Sequence, residues 1–233
     1  MKNKIHKYDF LVVGAGLVGS LAALALNQNN FKVLVIDKQI TKTTDKRTLA
    51  VNANSREFLN NLGLWASLKS KPQPIEKIFI SDYINSSPLI FENTSETMGS
   101  VIFNSDILEI ARRRLIELKI LKKNVSINLD ILSPNKTTFI NNTKYFFKKI
   151  VISVGKNTNL NNIHKTVKFD QGHKSFVGFF NHDKKHNNYA YEIFNPEGPI
   201  AVLPAPSNSK KKSTFIYTTK NKISSYQIKS LIK

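Results

Sequence analysis

The sequence predicts an α/β fold in which a half with a parallel central sheet is joined to a mostly antiparallel β-sheet. Two observations predict the first half: a glycine-rich turn between an apolar run and a helical run, and a second apolar run that ends in an acid. The third observation is that β runs with short turns between them follow one another towards the end of the chain.

The glycine-rich turn follows the apolar run that ends at Val13, and it reads Gly14-Ala15-Gly16-Leu17-Val18-Gly19. Gly14 permits a sharp turn, Gly16 permits the close approach of a pyrophosphate, and Gly19 lets the following helix pack on the strand. The first amides of that helix have no internal partner, so they are available to phosphate. The stretch therefore predicts a Rossmann-like dinucleotide site, against the alternative of an ordinary helix preceded by a glycine turn.

The second apolar run, Phe31 to Ile36, predicts the next strand, and Asp37 ends it. An acidic side chain about 20 residues after the glycines accepts hydrogen bonds from a ribose in dinucleotide folds. We therefore place Asp37, together with the adjacent Lys38, in the predicted cofactor site.

Two helices are predicted next, at 54–68 and 106–122. We expect Asn54 to cap the first helix, with Glu57 as its reciprocal partner, and Asn104 or Ser105 to cap the second. Three arginines at 112–114 are expected on or beside the solvated face of the second helix, where one of them could reach a phosphate.

The predicted strands after the first two are 75–83, with a hairpin return at 89–91, and 125–132, 137–140, 145–154, 176–180, 189–194, 200–204 and 214–218. The glycine-ended run Val151–Gly155 is typical of a strand that returns to a parallel sheet. Residues 224–233 resemble the beginning of a helix. We divide the chain into a discontinuous nucleotide-binding domain, 1–71 and 98–165, and a second domain, 72–97 and 166–233.

Composition excludes several classes of protein. The 233 residues carry 35 Lys and Arg against 16 Asp and Glu, a net charge of +19, and no cysteine. No apolar run reaches the roughly 18 residues that a membrane span needs. The absence of cysteine excludes disulfides and thiolate metal sites and suits a cytoplasmic protein. The lysines are scattered, which predicts solvated surface, no specific nucleic acid and, as a second hypothesis, attraction to an anionic membrane surface.

Several segments together resemble the flavin hydroxylases of ubiquinone biosynthesis, in the para-hydroxybenzoate hydroxylase class. They are the glycine turn and its helix, the segment 46–50 before Ser55-Arg56, the segment 62–65, the strand 75–82 and the stretch 191–204. The likeness covers nearly the whole chain in order. The glycine motif is shared by many folds. The segment around Arg47, at 46–50, and the stretch from Gly198-Pro199 to Leu203-Pro204 are more specific to this family.

The resemblance implies an FAD-dependent monooxygenase in which NAD(P)H reduces the flavin, and dioxygen then hydroxylates a ring bearing a polyprenyl tail. It implies that the glycine turn holds the pyrophosphate and that Asp37 holds the adenosine ribose. Arg47 matches an arginine near the flavin, with a surface salt bridge as the alternative role. It assigns no catalytic side chain, no metal and no oligomeric state.

Two departures from the family pattern weaken this expectation. Val154 stands where the family carries an aspartate that helps to position the nucleotide and the reductant. The second flavin motif of the family, Gly-Asp followed by Pro-x-x-Gly-Gln-Gly, does not occur in the chain. We therefore expect an incomplete substrate sheet, a C-terminally truncated or decayed member of the family, and weak or absent flavin binding.

Three alternative functions, and one candidate metal site, stay open beside this enzyme. A non-catalytic nucleotide-binding remnant accounts for both departures. An NAD-dependent dehydrogenase lacks a recognisable catalytic set here, and a nucleic-acid-binding protein would need basic residues clustered with aromatics. His182 and His186 have the spacing of two metal ligands on a helix, but the polar residues around them favour a turn between strands.

Overall fold

A computed structural model describes residues 4–40, 45–82, 84, 87–93, 96–155, 158, 167 and 169–221. The chain forms two compact units. The first unit comprises Met1–Thr44, Asn60–Ser67 and Ile107–Lys168, and the second comprises Asp45–Leu59, Leu68–Asp106 and Phe169–Lys233. This division places 45–59, 68–71 and 98–106 in the second unit, whereas the sequence-based division places them with the nucleotide-binding residues. The domain boundaries stay a prediction.

The helices and strands of the described residues are, in chain order, β1 (His6–Val13), α1 (Leu17–Gln28), β2 (Val33–Asp37), β3 (Thr48–Val51), α2 (Ala53–Asn61), β4 (Gln73–Ile75), β5 (Lys77–Asp82), β6 (Leu89–Glu92), β7 (Gly99–Phe103), α3 (Asn104–Glu117), β8 (Leu121–Lys123), β9 (Thr137–Ile140), β10 (Thr143–Ile152), β11 (Lys174–Asn181), β12 (Tyr189–Asn195), β13 (Gly198–Pro204) and β14 (Lys212–Thr219).

The first unit contains a five-stranded sheet in the order β8-β2-β1-β10-β9. The first four strands are parallel, and β9 runs antiparallel to β10. Val13 at the end of β1 lies between Ile36 of β2 and Ile152 of β10. The carboxyl ends of three neighbouring strands therefore meet at one edge, which is where ligands bind in sheets of this kind.

The core of the first unit explains the unbroken apolar runs of its central strands. Both faces of a parallel sheet are covered, so strands such as β2 read as continuous apolar sequence and are buried along their length. The buried cluster consists of Leu11, Val13, Leu34, Ile36, Val125, Ile140, Tyr145 and Phe147. Each such large apolar side chain contributes about 1.5–3 kcal/mol when fully buried, so this cluster holds the site edge in place.

The second unit contains a six-stranded sheet, ordered β11-β14-β13-β12-β5-β6, and a three-stranded sheet, ordered β3-β7-β4. Its strand pairs are antiparallel except for β12 beside β5. This confirms the predicted mostly antiparallel sheet and the hairpin between β5 and β6. A small buried cluster in this unit joins Ile75, Val101 and Ala190.

The predicted helix 54–68 is shorter than expected, and its predicted cap is wrong. The side chain of Asn52, not Asn54, caps α2, because its Oδ1 accepts the amide of Ser55 at 2.9 Å. The helix ends at Asn61, before Gly63 adopts a φ of +69°. A positive φ at glycine breaks the helical path, and a separate 3₁₀ turn follows at Trp65–Ser67.

The predicted helix 106–122 and the predicted strand 125–132 are also corrected. Helix α3 ends at Glu117, and Lys119 then takes a left-handed φ of +56°. Residues 121–123 form β8 instead of the last helical turn, because they pair with β2. Leu129–Ile131 form a 3₁₀ turn that Asn128 caps, because its side-chain oxygen accepts the amide of Asp130 at 3.0 Å.

The predicted strand 75–83 is two strands with a break at Glu76. The amide of Glu76 donates to the carbonyl of Asn188 at 2.8 Å, outside the pairing of β5 with β12. The other predicted strands lie close to their expected positions. The predicted helix at 224–233 falls outside the described residues.

Candidate cofactor site

The glycine-rich turn lies at the carboxyl end of β1, and its three glycines differ in their surroundings. Gly14 has a φ of +103°, and a Cβ added there would lie 2.5 Å from the carbonyl oxygen of Ser153. A Cβ at Gly19 would lie 2.0 Å from the carbonyl oxygen of Gly14. A Cβ at Gly16 meets nothing within 4 Å. Gly14 and Gly19 therefore serve internal packing, while Gly16 leaves open space beside the turn.

Helix α1 presents an uncapped N-terminus next to that open space. Gly16 is its N-cap and provides no side-chain hydrogen bond, and the first turn contains no acidic residue. The helical ladder begins with the amide of Ser20 bonded to the carbonyl of Gly16 at 2.9 Å. The amides of Leu17 and Val18 precede that first bond, so they are the groups that an anion would meet.

Asp37 binds the glycine turn itself. Its Oδ2 accepts the amide of Ala15 at 2.6 Å, and its Oδ1 accepts the amide of Gln39 at 2.8 Å. An ionised carboxylate has about four acceptor positions, so these two bonds leave capacity for a ribose hydroxyl. The carboxylate thus joins the end of β2 to the turn after β1.

Two residues at this site were not assigned to it from the sequence. Ser153, which follows β10, has its Oγ 3.0 Å from the carbonyl oxygens of both Val13 and Gly14. Arg112 of α3 donates from Nε to the carbonyl oxygen of Ala15 at 2.8 Å. The arginines 112–114 were expected on or beside the solvated face, with one of them able to reach a phosphate. Arg113 and Arg114 are exposed, whereas Arg112 is partly buried and contacts the glycine turn.

A sequence signal for Arg112 did exist. It lies one turn after Leu108 and next to Ala111, which are both buried on the face that α3 packs into the first unit. An arginine on the border of a buried helix face can reach a neighbouring loop, because its long stem packs while its guanidinium stays polar. Ser153 gave no comparable signal, because its role depends on the pairing of β10 with β1.

These groups surround a cavity of about 430 Å³ in the first unit. Its lining residues are Val13, Gly14, Gly16, Ile36, Asp37, Lys38, Gln39, Arg112, Val125, Ser126, Ile127, Leu129, Ser153, Val154, Gly155 and Thr158. The structure thus brings Gly14, Gly16, Asp37 and Lys38 together around one cavity. Ala15 and residues 17–19 are not among the lining residues, but the amides of Leu17 and Val18 follow directly on the lining residue Gly16, the N-cap of α1.

The arrangement fits a dinucleotide such as FAD. Gly16 leaves space for a pyrophosphate against the helix amides, and Arg112 and Lys38 bring positive charge to the same cavity. Apolar side chains at 125, 127 and 129 provide a surface for a flat ring system. The ligand roles of the individual residues stay predictions.

Arg47 lies in the second unit, where it forms a salt bridge with Asp45. Its Nη2 donates to Asp45 Oδ2 at 2.7 Å, and its Nε lies 2.9 Å from Oδ1. Hydrogen bonds from Arg47, with one from Asn104, lower the pKa of Asp45 from 3.8 to about 2. The structure therefore contains a salt bridge of Arg47, which was the alternative role for this residue. The role of Arg47 in holding the cofactor stays a prediction.

Comparison with known families identifies the class of protein. The model of the FAD binding domain family matches residues 7–141, which include β1, the glycine turn, Asp37 and Arg112. The chain belongs to this family, and FAD is confirmed as the cofactor that the family binds.

Relatives and a solved structure agree with this assignment. The chain is 25% identical to the ubiquinone hydroxylase UbiL of Rhodospirillum rubrum, over 91% of this chain and 52% of that protein. It is also 25% identical to the mitochondrial ubiquinone biosynthesis monooxygenase COQ6 of Schizosaccharomyces pombe, over 94% of this chain and 52% of that protein. These matches confirm the family resemblance seen in the sequence. The chain spans about half the length of these curated relatives.

The fold is also found in pqsL, a probable FAD-dependent monooxygenase from Pseudomonas aeruginosa. The two structures align with a TM-score of 0.72 at 11% identity, over 92% of this chain and 61% of that chain. This likeness confirms the predicted fold class.

Proposed function

We propose that this chain holds FAD for the hydroxylation of a polyprenylated phenol in ubiquinone biosynthesis. The observation that carries the proposal is the cavity at the glycine turn, which is lined by Gly16 at the N-terminus of α1, by Asp37 and by Arg112. The two curated relatives named above, a ubiquinone hydroxylase and a ubiquinone biosynthesis monooxygenase, support the choice of reaction and substrate class.

In the proposed reaction, NAD(P)H and a proton supply two electrons, and dioxygen supplies the oxygen atom. One oxygen atom enters the ring as a hydroxyl group and the other leaves as water. FAD, when bound, supplies the redox chemistry. The residues of this chain bind and orient the cofactor, and we assign none of them a catalytic role.

Each site residue has a defined part in this proposal. The amides of Leu17 and Val18 hold the pyrophosphate beside Gly16, and Asp37 accepts from the adenosine ribose. Arg112 holds the carbonyl of Ala15 and adds positive charge near the phosphates. Lys38 lines the same cavity and adds a second cation.

Titration of the purified chain with FAD tests the proposal, with quenching of flavin fluorescence as the readout. We expect weak but saturable binding, followed by NAD(P)H oxidation that accelerates when a polyprenylated phenol is added. Absence of quenching at millimolar FAD would show that this chain does not hold the cofactor.

A second candidate function is nucleotide binding without hydroxylation. Val154 favours it, because this apolar side chain lines the cavity where the family resemblance places an aspartate. The same titration separates the two candidates. The non-catalytic function would be supported by saturable FAD binding together with an unchanged rate of NAD(P)H oxidation. The rate with protein and FAD would then be no higher than the rate with FAD alone.

We further propose that the protein is cytoplasmic and associates with the inner face of the membrane, where a polyprenylated substrate resides. No helix among the described residues is long and apolar enough to cross a bilayer. The support for surface association is the net charge of +19, since basic proteins are attracted to anionic lipid headgroups. Separation of cell lysates into soluble and membrane fractions, at low and high salt, tests this part.

A further inference from the structure

Strand β6 forms one edge of the six-stranded sheet in the second unit. Among the described strands it pairs only with β5, so the backbone amides and carbonyls on its other side have no strand partner. All four of its residues are exposed. An exposed edge of this kind is able to receive a further strand, because its backbone groups are already held in the extended conformation.

Three of the four side chains of β6 are large and apolar. Leu89 is 60% exposed, Ile90 is 49% exposed and Phe91 is 43% exposed. Successive side chains of a strand point to opposite faces of the sheet, so Leu89 and Phe91 lie on one face and Ile90 lies on the other. A strand added at the open side of β6 would therefore contact apolar side chains on both faces.

Two other edge strands carry or lie beside lysines, which discourage pairing. Strand β8 contains two lysines, and the exposed Phe139 of β9 has the ammonium group of Lys144 at 6.0 Å from its ring centre. Lysine and proline are common protections of edge strands in natural proteins. Strand β6 contains neither, and its single charged residue, Glu92, is paired with Lys77 of β5.

The β5–β6 hairpin also has a charge opposite in sign to that of the whole chain. Residues 76–98 contain four acidic residues and one lysine, a net charge of −3, in a chain of net charge +19. Lysines that would repel a second copy are therefore sparse around β6. The acidic side chains of one copy are also attracted by the positive field of another.

A two-fold axis through Ile90 makes β6 complementary to itself. In an antiparallel pair with this symmetry, Ile90 lies opposite the partner's Ile90, and Leu89 lies opposite the partner's Phe91. Apolar cross-strand pairs of this kind stabilise sheets. Glu92 lies opposite the partner's Pro88, which has no amide hydrogen, so the pairing ends there.

We propose that β6 joins two copies of this chain into a two-fold dimer, in which antiparallel pairing continues the six-stranded sheet from one copy into the other. Four residues a side bury less than the roughly 1,200 Å² of a standard interface, so we expect a weak dimer with a Kd on the order of 100 µM. The net charge of +19 on each copy opposes association, so added salt should strengthen the dimer. The proposal depends neither on FAD nor on hydroxylation.

Sedimentation velocity of the full chain, at about 10 µM to about 500 µM, tests the proposal. We expect the mean sedimentation coefficient to rise with concentration, and to rise at lower concentration when salt is increased from about 50 mM to about 500 mM. Ile90→Lys places two lysines opposite each other at the axis, so it should raise the Kd at least about tenfold. The matched control is Phe139→Lys, which adds the same charge to an exposed apolar position of β9 and should change the Kd by less than about twofold.

Cross-linking provides a second measurement that remains decisive if Ile90→Lys does not fold. The chain contains no cysteine, so Ile90→Cys introduces a single thiol at the position that lies opposite itself across the axis. With oxidised glutathione as the oxidant, we expect a disulfide-linked dimer to form at least about tenfold faster from Ile90→Cys than from Phe139→Cys.

The outcomes identify the surface that joins the two copies. A dimer that Ile90→Lys weakens and Phe139→Lys retains supports the proposal. A chain that stays monomeric up to about 500 µM overturns it and leaves the β6 edge to a strand of another protein. Equal weakening by the two lysine variants, or equal cross-linking of the two cysteine variants, also overturns it. FAD quenching by Ile90→Lys should match that of the unchanged protein, so a failure of the cofactor site is recognised separately.

Discussion

Asp37 acts on the structure and on the ligand site through the same carboxylate. Its two oxygens accept the amides of Ala15 and Gln39, so the charge that would meet a ribose also holds the glycine turn. In the sequence only its distance from the glycines was visible, and this predicted the ribose role. The bond to Ala15 became visible only with the pairing of β1 and β2.

The variant Asp37→Asn tests the ribose role. The amide oxygen can still accept one backbone hydrogen bond, but the negative charge is lost, so we expect FAD affinity to fall about tenfold. Asp9→Asn, in the neighbouring strand β1 and away from the turn, is the control and should leave the affinity unchanged. Flavin fluorescence quenching measures both. Equal affinity of Asp37→Asn and the unchanged protein would refute the ribose role.

Arg112 provides a second test at the level of one residue. Because Arg112 Nε holds the carbonyl of Ala15 at the cavity, Arg112→Ala should lower FAD affinity about tenfold. Arg113→Ala, the neighbouring exposed arginine, removes the same charge and should change the affinity by less than twofold. If both variants lose FAD affinity equally, Arg112 contributes to FAD binding only through the overall charge of the protein and has no specific role.

The salt bridge between Arg47 and Asp45 predicts that the pKa of Asp45 rises when Arg47 is replaced. The folded pKa of Asp45 is lowered, so its contribution to stability is complete above 3.8, the ordinary value, and is lost as pH falls through about 2. Arg47→Ala should raise the pKa of Asp45 towards 3.8, and NMR titration of the carboxyl carbon measures it. Arg56→Ala serves as the control; a pKa still near 2 in Arg47→Ala would contradict the assigned cause.

The turn between β1 and α1 separates the structural role of glycine from its binding role. A methyl group at Gly19 would lie 2.0 Å from a backbone oxygen, whereas a methyl group at Gly16 would enter open space. Both positions belong to one motif, and the motif alone does not distinguish them. The geometry of this turn therefore predicts that a change from glycine to alanine affects mainly stability at position 19 and mainly ligand binding at position 16.

We expect Gly19→Ala to lower the free energy of unfolding by more than about 3 kcal/mol, because a rigid backbone atom must move. Gly16→Ala should change that free energy by less than about 1 kcal/mol while weakening FAD binding at least tenfold, because the methyl group fills the pyrophosphate space. Chemical denaturation and FAD titration measure the two effects. Equal destabilisation by both variants would show that the turn has no preformed ligand space.

Elements governed by local sequence were predicted, and elements governed by distant pairing were not. Around Gly14, the apolar pattern, the glycine spacing and the segment lengths all predict the same strand, turn and helix. The structure contains these elements as β1, the glycine turn and α1. Strand β8 has only three residues, Leu121–Lys123, and forms because Leu121 pairs with Val35. No local pattern in 118–132 indicates that pairing, which explains why this segment was predicted wrongly.

At the scale of the molecule, the cofactor site is assembled from four separate stretches of the first unit: residues 13–39, Arg112, residues 125–129 and residues 153–155 with Thr158. The sequence predicted the stretch with the glycine turn and Asp37, because both lie within one strand–helix–strand unit. Arg112 and Ser153 come from α3 and from the end of β10, and they reach the turn only when the five-stranded sheet has formed. Spacing along the chain could not place them.

The net charge of +19 gives a prediction for the whole molecule. We expect the protein to sediment with vesicles that contain phosphatidylglycerol and to stay in solution with neutral phosphatidylcholine vesicles. Binding should fall steeply between 50 mM and 500 mM salt, because the Debye length shortens from about 14 Å to about 4 Å. Retention at 500 mM salt would indicate apolar insertion instead, and equal binding to neutral vesicles would contradict charge-driven association altogether.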